Sequence, residues 1–395
     1  MHDLPLNELL ILDLTRHRAG PVASRLFADC GARVIKVEQP ADVGDSMGGS
    51  REGFDYQNLH RHKQSLALNL KTEAGRRVFH ALVRQADVVL ESFRPDVKYR
   101  LGVDYETLKA LNPRIVCGSI SGFGQEGPYG ARPAVDQIVQ GMSGLMSVTG
   151  LPGQGPVRAG AAIADIGAGM VLSQGLLMAL YRRERTGQGQ WVHTSLLESL
   201  VSMLDFQVAR WLSTGEVPRQ AGNDHPTLMP TGVFPTADGQ VSIAAAEPPK
   251  FQALCEILQL LPLLDDPRFS GVPQRGANRE ALSEALSSKT RAWASAELIE
   301  RLNAAGIPCG PIYTIDQAMN DPQMQHLRMS GTVTHPRLGP LSLLGQPLHF
   351  EGCGGRPPLR AAAPEHGQHT DEILSELLGY GRGDIEALRA QGAIA

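Results

Sequence analysis

Short apolar segments rich in branched side chains alternate with helix-like segments from the beginning of the chain. The strand-like segments are LLILDL (9–14), RVIKVE (33–38), SLALNL (65–70), DVVLESF (87–93) and RIVCGSIS (114–121). Between them lie segments such as TEAGRRVFHALVRQA (72–86), whose apolar spacing is typical of an amphipathic helix. Strands that are apolar throughout and separated by helices predict a parallel sheet covered by helices on both faces. The first ~200 residues are therefore predicted to be doubly wound α/β.

The pattern changes near residue 222. The segment GNDHPTLMPTGVFPTADGQ (222–240) is rich in proline, glycine and polar residues, which is typical of a linker or boundary. VSIAAAE (241–247) after it is predicted to be a strand, and several helices are expected between residues 250 and 305. A chain of 395 residues has room for two or three domains.

Charge and composition exclude several classes of protein. A net charge of −4 and a pI of about 6.3 argue against a nucleic-acid surface or a polybasic membrane anchor. The five cysteines form no CxxC pair and no Cys/His spacing that fits zinc, so no metal site is predicted. The most apolar run (170–181) is predicted to be too short to span a bilayer. We therefore expect a cytoplasmic protein with reduced thiols and neither nucleic-acid nor membrane partners.

The segment AAIADIGAGM (161–170) places a single carboxylate, Asp165, among small and apolar residues. A long apolar segment follows and is predicted to be a buried helix, so Asp165 stands at or just before the helix start. As a helix cap, its carboxylate would accept hydrogen bonds from the free amides of the first turn. As a reagent, it would attack a substrate carbonyl while free amides hold the developing oxyanion. Spacing alone leaves both readings open and favours the cap.

The segments AGAAIADIGAGM (159–170) and LLMALYRRERTGQGQWV (176–192) resemble the central motif of the family III CoA-transferases, which include formyl-CoA transferase and carnitine CoA-transferase. Further family signatures follow one another in the expected order. They are ILDLTRHRAGPVASRLFADCGARVIKVEQP (11–40), HRHKQSLALNLKTEAGR (60–76), DVVLESFRPDVKYRLGVDYETLKALNPRIV (87–116), SISGFGQEGPYGARPAVDQIVQGMSGLMSVTG (119–150), GIPCGPIYTIDQAMNDPQ (306–323) and GQHTDEILSELLG (367–379). The resemblance thus covers nearly the whole chain.

The resemblance implies both an architecture and a reaction. The expected architecture is a large Rossmann-like domain built from residues 1–220 and 326–395, a smaller α+β domain at 221–325, and an interlocked homodimer. The expected reaction moves CoA from an acyl-CoA donor to a free carboxylic acid, with CoA as a carried substrate and no tightly bound cofactor. Asp165 matches the family's nucleophile, which forms first a mixed anhydride and then an aspartyl-CoA thioester.

The resemblance also implies which residues contact CoA. The loop RHRAGP is expected over the thiol end, and Lys63 matches a motif lysine expected at a phosphate. Gln39 stands where many members carry arginine, so this chain departs from the family at one expected contact with the adenosine or a phosphate of CoA. For Lys63 and Arg100 the alternative is a solvated surface charge. The full predicted set is His17, Arg18, Ala19, Gln39, Lys63, Ser92, Phe93 and Arg100.

Two further positions concern the second substrate. Arg18 stands where formyl-CoA transferase has glutamine, and an arginine there can hold a second carboxylate through two hydrogen bonds. This motivates the hypothesis that one substrate is a dicarboxylate such as succinate; the alternative is a contact with a CoA phosphate or a local carboxylate. The segment GNDHPTLMPTGVF (222–234), with His225, resembles the loop of other members and is a candidate acceptor lid. Val135 and His225 are the predicted residues of the substrate loop.

Three other functions compete with CoA transfer. An α-methylacyl-CoA racemase needs two proton-transfer groups, but Val135 stands where racemases carry a histidine, although Glu247 matches their glutamate. A nicotinamide-dependent oxidoreductase is disfavoured because the loop after the first strand lacks GxGxxG. A non-catalytic CoA-binding protein is disfavoured by the intact Asp165 and its small neighbours.

Overall fold

The computed structural model describes residues 4–40 and 49–395 and contains both strands and helices. The strands are β1 (Leu10–Asp13), β2 (Arg33–Glu38), β3 (Gln64–Ala67), β4 (Val88–Glu91), β5 (Val116–Ser121), β6 (Gln190–Ser195), β7 (Thr231–Pro235), β8 (Gln240–Ala244), β9 (Cys309–Pro311), β10 (Ser330–His335) and β11 (Gly339–Leu344). The helices are α1 (Ala19–Asp29), α2 (Phe54–His60), α3 (Glu73–Val83), α4 (Pro95–Leu101), α5 (Tyr105–Leu111), α6 (Asp136–Met142), α7 (Leu145–Val148), α8 (Ile163–Thr186), α9 (Leu196–Met203), α10 (Phe206–Thr214), α11 (Pro248–Ile257), α12 (Pro262–Asp265), α13 (Val272–Ala277), α14 (Arg279–Thr290), α15 (Ser295–Ala304), α16 (Ile315–Asn320), α17 (Pro322–His326), α18 (Thr370–Leu378) and α19 (Arg382–Ala390).

A six-stranded parallel sheet organises the molecule. Its strand order is β3-β2-β1-β4-β5-β6, and each neighbouring pair runs parallel. This confirms the predicted doubly wound α/β fold. The chain reverses its direction of travel across the sheet between β1 and β4, and ligands of such folds bind at the carboxyl ends of the strands beside this switch point.

The two faces of the sheet build separate cores. Ile11 of β1 packs with α1 and α8 on one face, while its neighbour Leu12 packs with α3 and α5 on the other. Both side chains are fully buried. Alternating burial on opposite faces is what a strand between two helical layers requires, because successive side chains point in opposite directions.

Helix α8 approaches α1 closely because Gly169 has no side chain. A Cβ atom at this position would lie 2.5 Å from the carbonyl oxygen of Ala19 and 2.8 Å from Cβ of Val22. Any larger residue would force the two helices apart. Gly169 therefore lets the helix of Asp165 lie against the start of α1, where the loop after β1 ends.

Helix α8 contains a longer apolar segment than predicted. The whole helix has 24 residues and is, by length and composition alone, apolar enough to cross a membrane, so the prediction that this segment is too short was wrong; a buried core helix meets the same criterion. Ala164, Ala168, Leu172 and Leu176 are buried in the core of the sheet. Core packing therefore accounts for one side of this helix, whereas large apolar side chains on the other side are exposed.

The chain forms two compact units. The first comprises the described residues up to Leu145, Ala159–Val208 and Leu327–Ala395; the second comprises Met146–Arg158 and Ala209–His326. The unit boundary near 208 falls within α10, where no proline or glycine marks it; the predicted domain limits at 220 and 325 stay a prediction.

The second unit has its own sheet and core. Strands β7, β8 and β9 pair in an antiparallel sheet. Helices α11, α14 and α15 pack on it around Phe234, Leu254, Leu282 and Leu298. In the first unit, β10 and β11 form a separate antiparallel hairpin.

Candidate active site

Asp165 lies in the first turn of α8 but does not cap the helix. The residue at the N-cap position is Ala162, which has no side chain that can accept a hydrogen bond. The amide of Ala164 donates to Oδ1 of Asp136 instead, at 2.9 Å. The carboxylate of Asp165 accepts no hydrogen bond from any residue that the structure describes. Of the two readings that the sequence leaves open, the cap is therefore taken by a different aspartate.

A buried hydrogen-bond frame holds the segment before α8. Nε2 of Gln140 donates to Oδ2 of Asp136 at 2.7 Å and to the carbonyl oxygen of Ala161 at 3.2 Å. Oε1 of Gln140 accepts from the amide of Ala159 at 2.8 Å. Gln140 is fully buried and Asp136 is 8% exposed. Helix α6 thus fixes both the approach to α8 and its first turn.

The environment of Asp165 makes its carboxylate unusually basic. Partial burial raises the pKa of Asp165 to about 6, and the nearby charge of Asp136 adds to the effect. Arg18 and His17 act in the opposite direction, which places both close enough to interact with this carboxylate. At neutral pH the group is ionised but poorly solvated, which is the state required of a nucleophile.

The loop after β1 leads into three predicted residues, of which His17 and Arg18 lie near this carboxylate. His17 has a left-handed backbone (φ 64°), a conformation that is uncommon outside glycine. Arg18 stands at the N-cap position of α1 and forms an ion pair with Asp55, with 2.5 Å between Nη2 and Oδ2. Ala19 is buried, and its carbonyl oxygen faces Gly169 of α8.

Lys63 lies in a buried ion pair beside the end of β1. Its ammonium is fully buried and contacts Oδ2 of Asp13 at 3.0 Å and Oγ of Ser24 at 2.7 Å. Burial lowers the pKa of Lys63 to about 8, although the charge of Asp13 opposes the effect. In this structure the ammonium is held by protein partners, and the contact with a phosphate stays a prediction.

A cavity of about 380 Å³ opens at the carboxyl ends of the central strands. Leu14 after β1 and Phe93 after β4 border it, so it lies at the switch point of the sheet. The basic residues of its lining are Arg16, Lys36, Arg51, Lys71 and His366, and the acidic ones are Glu38 and Glu52.

Some of the predicted CoA-binding residues line this cavity and others do not. Gln39 and Phe93 line it, and Oγ of Ser92 accepts a hydrogen bond from the amide of Arg16 at its edge. Arg100 is exposed on α4 and does not line it. Lys71 lines it but was missed by the sequence reasoning, although a cation directly after the apolar segment SLALNL is a signal for such a position.

Two residues predicted for the acceptor side lie in different units. Val135 stands at the N-cap position of α6, directly before Asp136 in the first unit. His225 belongs to the second unit, where Nδ1 accepts hydrogen bonds from the amides of Thr227 and Leu228 at 3.2 and 3.1 Å. Within its own unit His225 therefore organises the turn that carries it.

The search for a metal site gave no candidate. Across residues 4–40 and 49–395, no three His, Cys, Asp or Glu side chains come together in a way that fits a metal ion.

Comparisons with known proteins agree with this arrangement. The sequence profile described as CoA-transferase family III matches residues 6–370. The chain is 37% identical to succinate–glutarate CoA-transferase of Agrobacterium fabrum, over 94% of this chain and 96% of that one. It is also 37% identical to acetyl-CoA:oxalate CoA-transferase of Acetobacter aceti, over 91% and 92%.

Solved structures show the same likeness. A crystal structure of a CAIB/BAIF family protein from Brucella suis superposes with a TM-score of 0.81 at 34% identity, covering 95% of this chain and 100% of that one. The predicted family is thereby confirmed: the chain belongs to CoA-transferase family III.

Proposed function

We propose that this enzyme transfers CoA from an acyl-CoA thioester to a free carboxylic acid, with Asp165 as the nucleophile. The observation that carries the proposal is the state of this carboxylate. It is partly buried, has a raised pKa of about 6, and accepts no hydrogen bond from the described residues. Both relatives described above are named as CoA-transferases, which favours CoA transfer over racemisation.

The proposed reaction has four balanced steps and needs no metal or redox partner. An oxygen of Asp165 attacks the thioester carbonyl, the C–S bond breaks, and CoA leaves as a thiolate. The thiolate attacks the Asp165 carbonyl of the mixed anhydride, which releases the donor acid and leaves an aspartyl-CoA thioester. The acceptor carboxylate then attacks this thioester and releases the thiolate. Attack of the thiolate on the acceptor carbonyl yields the new acyl-CoA and regenerates the Asp165 carboxylate.

The first turn of α8 offers support for the oxyanions of these steps. The backbone amide of Asp165 donates to neither the carbonyl oxygen of Ala161 nor that of Ala162, and to no other acceptor among the described residues. Free amides at a helix start stabilise negative charge. We therefore assign this amide as a candidate donor to the oxygen that becomes negative during attack.

The cavity at the switch point is the proposed site for the polar part of CoA. Its basic residues Arg16, Arg51 and Lys71 are suited to phosphates, and Phe93 offers an apolar ring. Arg51 already forms an ion pair with Glu38, at 2.8 Å, so it is held in place within the lining.

Arg18 supports a dicarboxylate as one substrate. Its guanidinium lies near Asp165 and is held on one side by Asp55, which leaves part of its donor set for another carboxylate. The name of the Agrobacterium fabrum relative contains two dicarboxylates, succinate and glutarate. We propose that Arg18 binds the distal carboxylate of such a substrate.

A second copy of the chain is the proposed cover for the exposed side of α8. Met170, Leu177, Met178 and Tyr181 lie on one face of this helix, and Met178 and Tyr181 are 69% and 68% exposed. A continuous row of exposed large apolar side chains is typical of a permanent interface between subunits. It supports the homodimer implied by the resemblance, whose interlocked form remains a proposal; sedimentation equilibrium of the wild-type protein tests the stoichiometry.

Isotope exchange tests the proposed transfer directly. Succinyl-CoA and labelled glutarate are incubated with wild type and with Asp165→Asn, and labelled glutaryl-CoA is measured. We expect product with wild type only. A panel of other acyl-CoAs and acids distinguishes a wrong substrate pair from a protein that binds CoA without turnover, because only the latter yields no labelled thioester with any pair.

A further inference from the structure

Helix α8 receives its cap from a residue 28 positions earlier in the chain. Oδ1 of Asp136 accepts from the amide of Ala164 at 2.9 Å, and both groups are buried. Helices usually obtain this bond from a side chain at their own N-cap position. Here that position is occupied by Ala162, so the start of α8 depends on α6.

The second oxygen of Asp136 is also occupied. Nε2 of Gln140 donates to Oδ2 at 2.7 Å, and the same amide group is tied to the carbonyl oxygen of Ala161. With both carboxylate oxygens engaged and only 8% of the residue exposed, Asp136 has a fixed orientation. Its negative charge therefore stays at one place beside the first turn of α8.

This arrangement frees the carboxylate of Asp165 from capping its own helix. An aspartate in the first turn tends to accept hydrogen bonds from the free amides there, which stabilises the carboxylate and makes it less reactive. Since Asp136 already satisfies the amide of Ala164, the carboxylate of Asp165 is not drawn into that role.

We infer that Asp136 is a positioning residue for CoA transfer: it caps α8 in place of Asp165 and holds a negative charge beside that nucleophile. The inference rests on the proposed role of Asp165. Asp136 touches neither substrate nor reacting atoms in this assignment; it acts through the helix start and through its charge.

The charges that face Asp165 come from two elements. Asp136 of α6 raises the pKa of Asp165 in addition to the effect of burial, whereas Arg18 and His17 of the loop before α1 lower it. Neutralising Asp136 must therefore lower the pKa of Asp165, since a like charge is removed while Arg18 and His17 stay in place.

Asp136→Asn separates the charge from the cap. The Asn carbonyl oxygen can still accept from the amide of Ala164, but its NH₂ group faces Nε2 of Gln140, which is also a donor. Asp104→Asn is the matched control. Asp104 caps α5 through the amide of Thr107, is 7% exposed, and lies with the helices on the other face of the sheet.

The test measures the rate of covalent adduct formation against pH in a single turnover with succinyl-CoA. In wild type the rate is expected to rise with a midpoint of about 6. Asp136→Asn should move this midpoint down by roughly half a unit or more, and Asp104→Asn should leave it unchanged. Asp136→Ala, which also removes the cap, should lower the plateau rate by roughly tenfold.

Each outcome has one meaning. A lowered rate in Asp136→Asn with an unmoved midpoint would show that Asp136 is only part of the scaffold, and the inference would be overturned. An adduct that is absent from wild type with every acyl-CoA tested would contradict the role of Asp165 itself. A thermal melt of each variant separates loss of folded protein from loss of rate.

Discussion

Two carboxylates at the same edge of the molecule have opposite environments. Asp13, at the end of β1, accepts hydrogen bonds from the amide and hydroxyl of Thr15, from Ser24 and from Lys63. Burial opposes its charge, but Lys63 and these donors bring the pKa of Asp13 down to about 2. Asp165 accepts no hydrogen bond from the described residues, and burial raises its pKa to about 6.

The difference separates a structural carboxylate from a reactive one. Asp13 is saturated with donors, so its charge is stabilised and its oxygens are unavailable. It fixes the loop that carries His17 and Arg18 by tying Thr15 to Ser24 and Lys63. Asp165 is left without that stabilisation, so its oxygens are available to attack. A motif residue is thus better judged by its partners than by its residue type.

The largest expected effect is the loss of transfer in Asp165→Asn. Removing the proposed nucleophile should reduce CoA transfer by at least ~10³-fold, since the proposed covalent intermediates form on this carboxylate. Steady-state transfer rates measure this loss, and CoA binding by calorimetry is expected to be retained. Transfer at a tenth of the wild-type rate or more would contradict the assignment.

The second expected effect is a loss of unfolding free energy when Asp13 loses its partner Lys63. Lys63→Met leaves Asp13 as a buried charge with one partner fewer and should cost about 3–5 kcal/mol of unfolding free energy. Urea denaturation measures the difference. The matched control is Lys71→Met at the cavity, which should change stability by less than about 0.5 kcal/mol. Equal costs for both lysines would contradict the difference in environment.

The third expected effect is on substrate choice. Arg18→Gln should raise KM for dicarboxylic acceptors about tenfold, because a charge-assisted hydrogen bond is lost, while monocarboxylic acceptors are unaffected. Asp55→Asn removes the resident partner of Arg18 and serves as the comparison. If the two classes of acid respond alike to Arg18→Gln, the proposed contact with a distal carboxylate is wrong.

The smallest expected effect is a gain of stability in Asp165→Asn. Because the pKa of Asp165 is raised in the folded state from 3.8 to about 6, its ionisation opposes folding above pH 6, and the penalty disappears as the pH falls below 3.8. Replacement by a neutral amide should therefore stabilise the protein by about 1 kcal/mol at pH 7.5, after allowance for partial exposure.

The pH dependence of this gain distinguishes the two carboxylates. The gain in Asp165→Asn should vanish near pH 4. The contribution of Asp13, whose pKa is lowered, is present above 3.8 and is lost only as the pH falls towards 2. Melting temperatures of wild type and variant at pH 7.5 and pH 4 provide the measurement. A variant that is less stable than wild type at pH 7.5 would contradict the raised pKa.

The sequence predicted the parts of the fold that depend on local pattern. Strands β1 to β5 were recognisable as apolar segments because both of their faces are covered. Strand β6, with the sequence QWVHTS, was missed because it is an edge strand whose first four residues are not buried. The division of the structure near residue 208 has no sequence signal, because it falls within a helix.

The sequence identified a candidate site residue only where its immediate neighbours in the chain carry the signal. Asp165 was recognised from its small neighbours and from the family motif. The cap from Asp136 was not, since two residues 28 positions apart meet only through packing of α6 against α8. Lys63 was assigned to a phosphate from its match to a family motif; its burial beside Asp13 could not be read from that match, because burial is a property of the folded chain.

Intact-protein mass spectrometry tests the central claim most directly. Wild type and Asp165→Ala are incubated with a panel of acyl-CoAs, and each sample is measured with and without hydroxylamine. We predict an adduct on wild type that hydroxylamine removes, and none on the variant. An adduct of the same mass on Asp165→Ala, or its absence from wild type with every donor, would contradict Asp165 as the nucleophile.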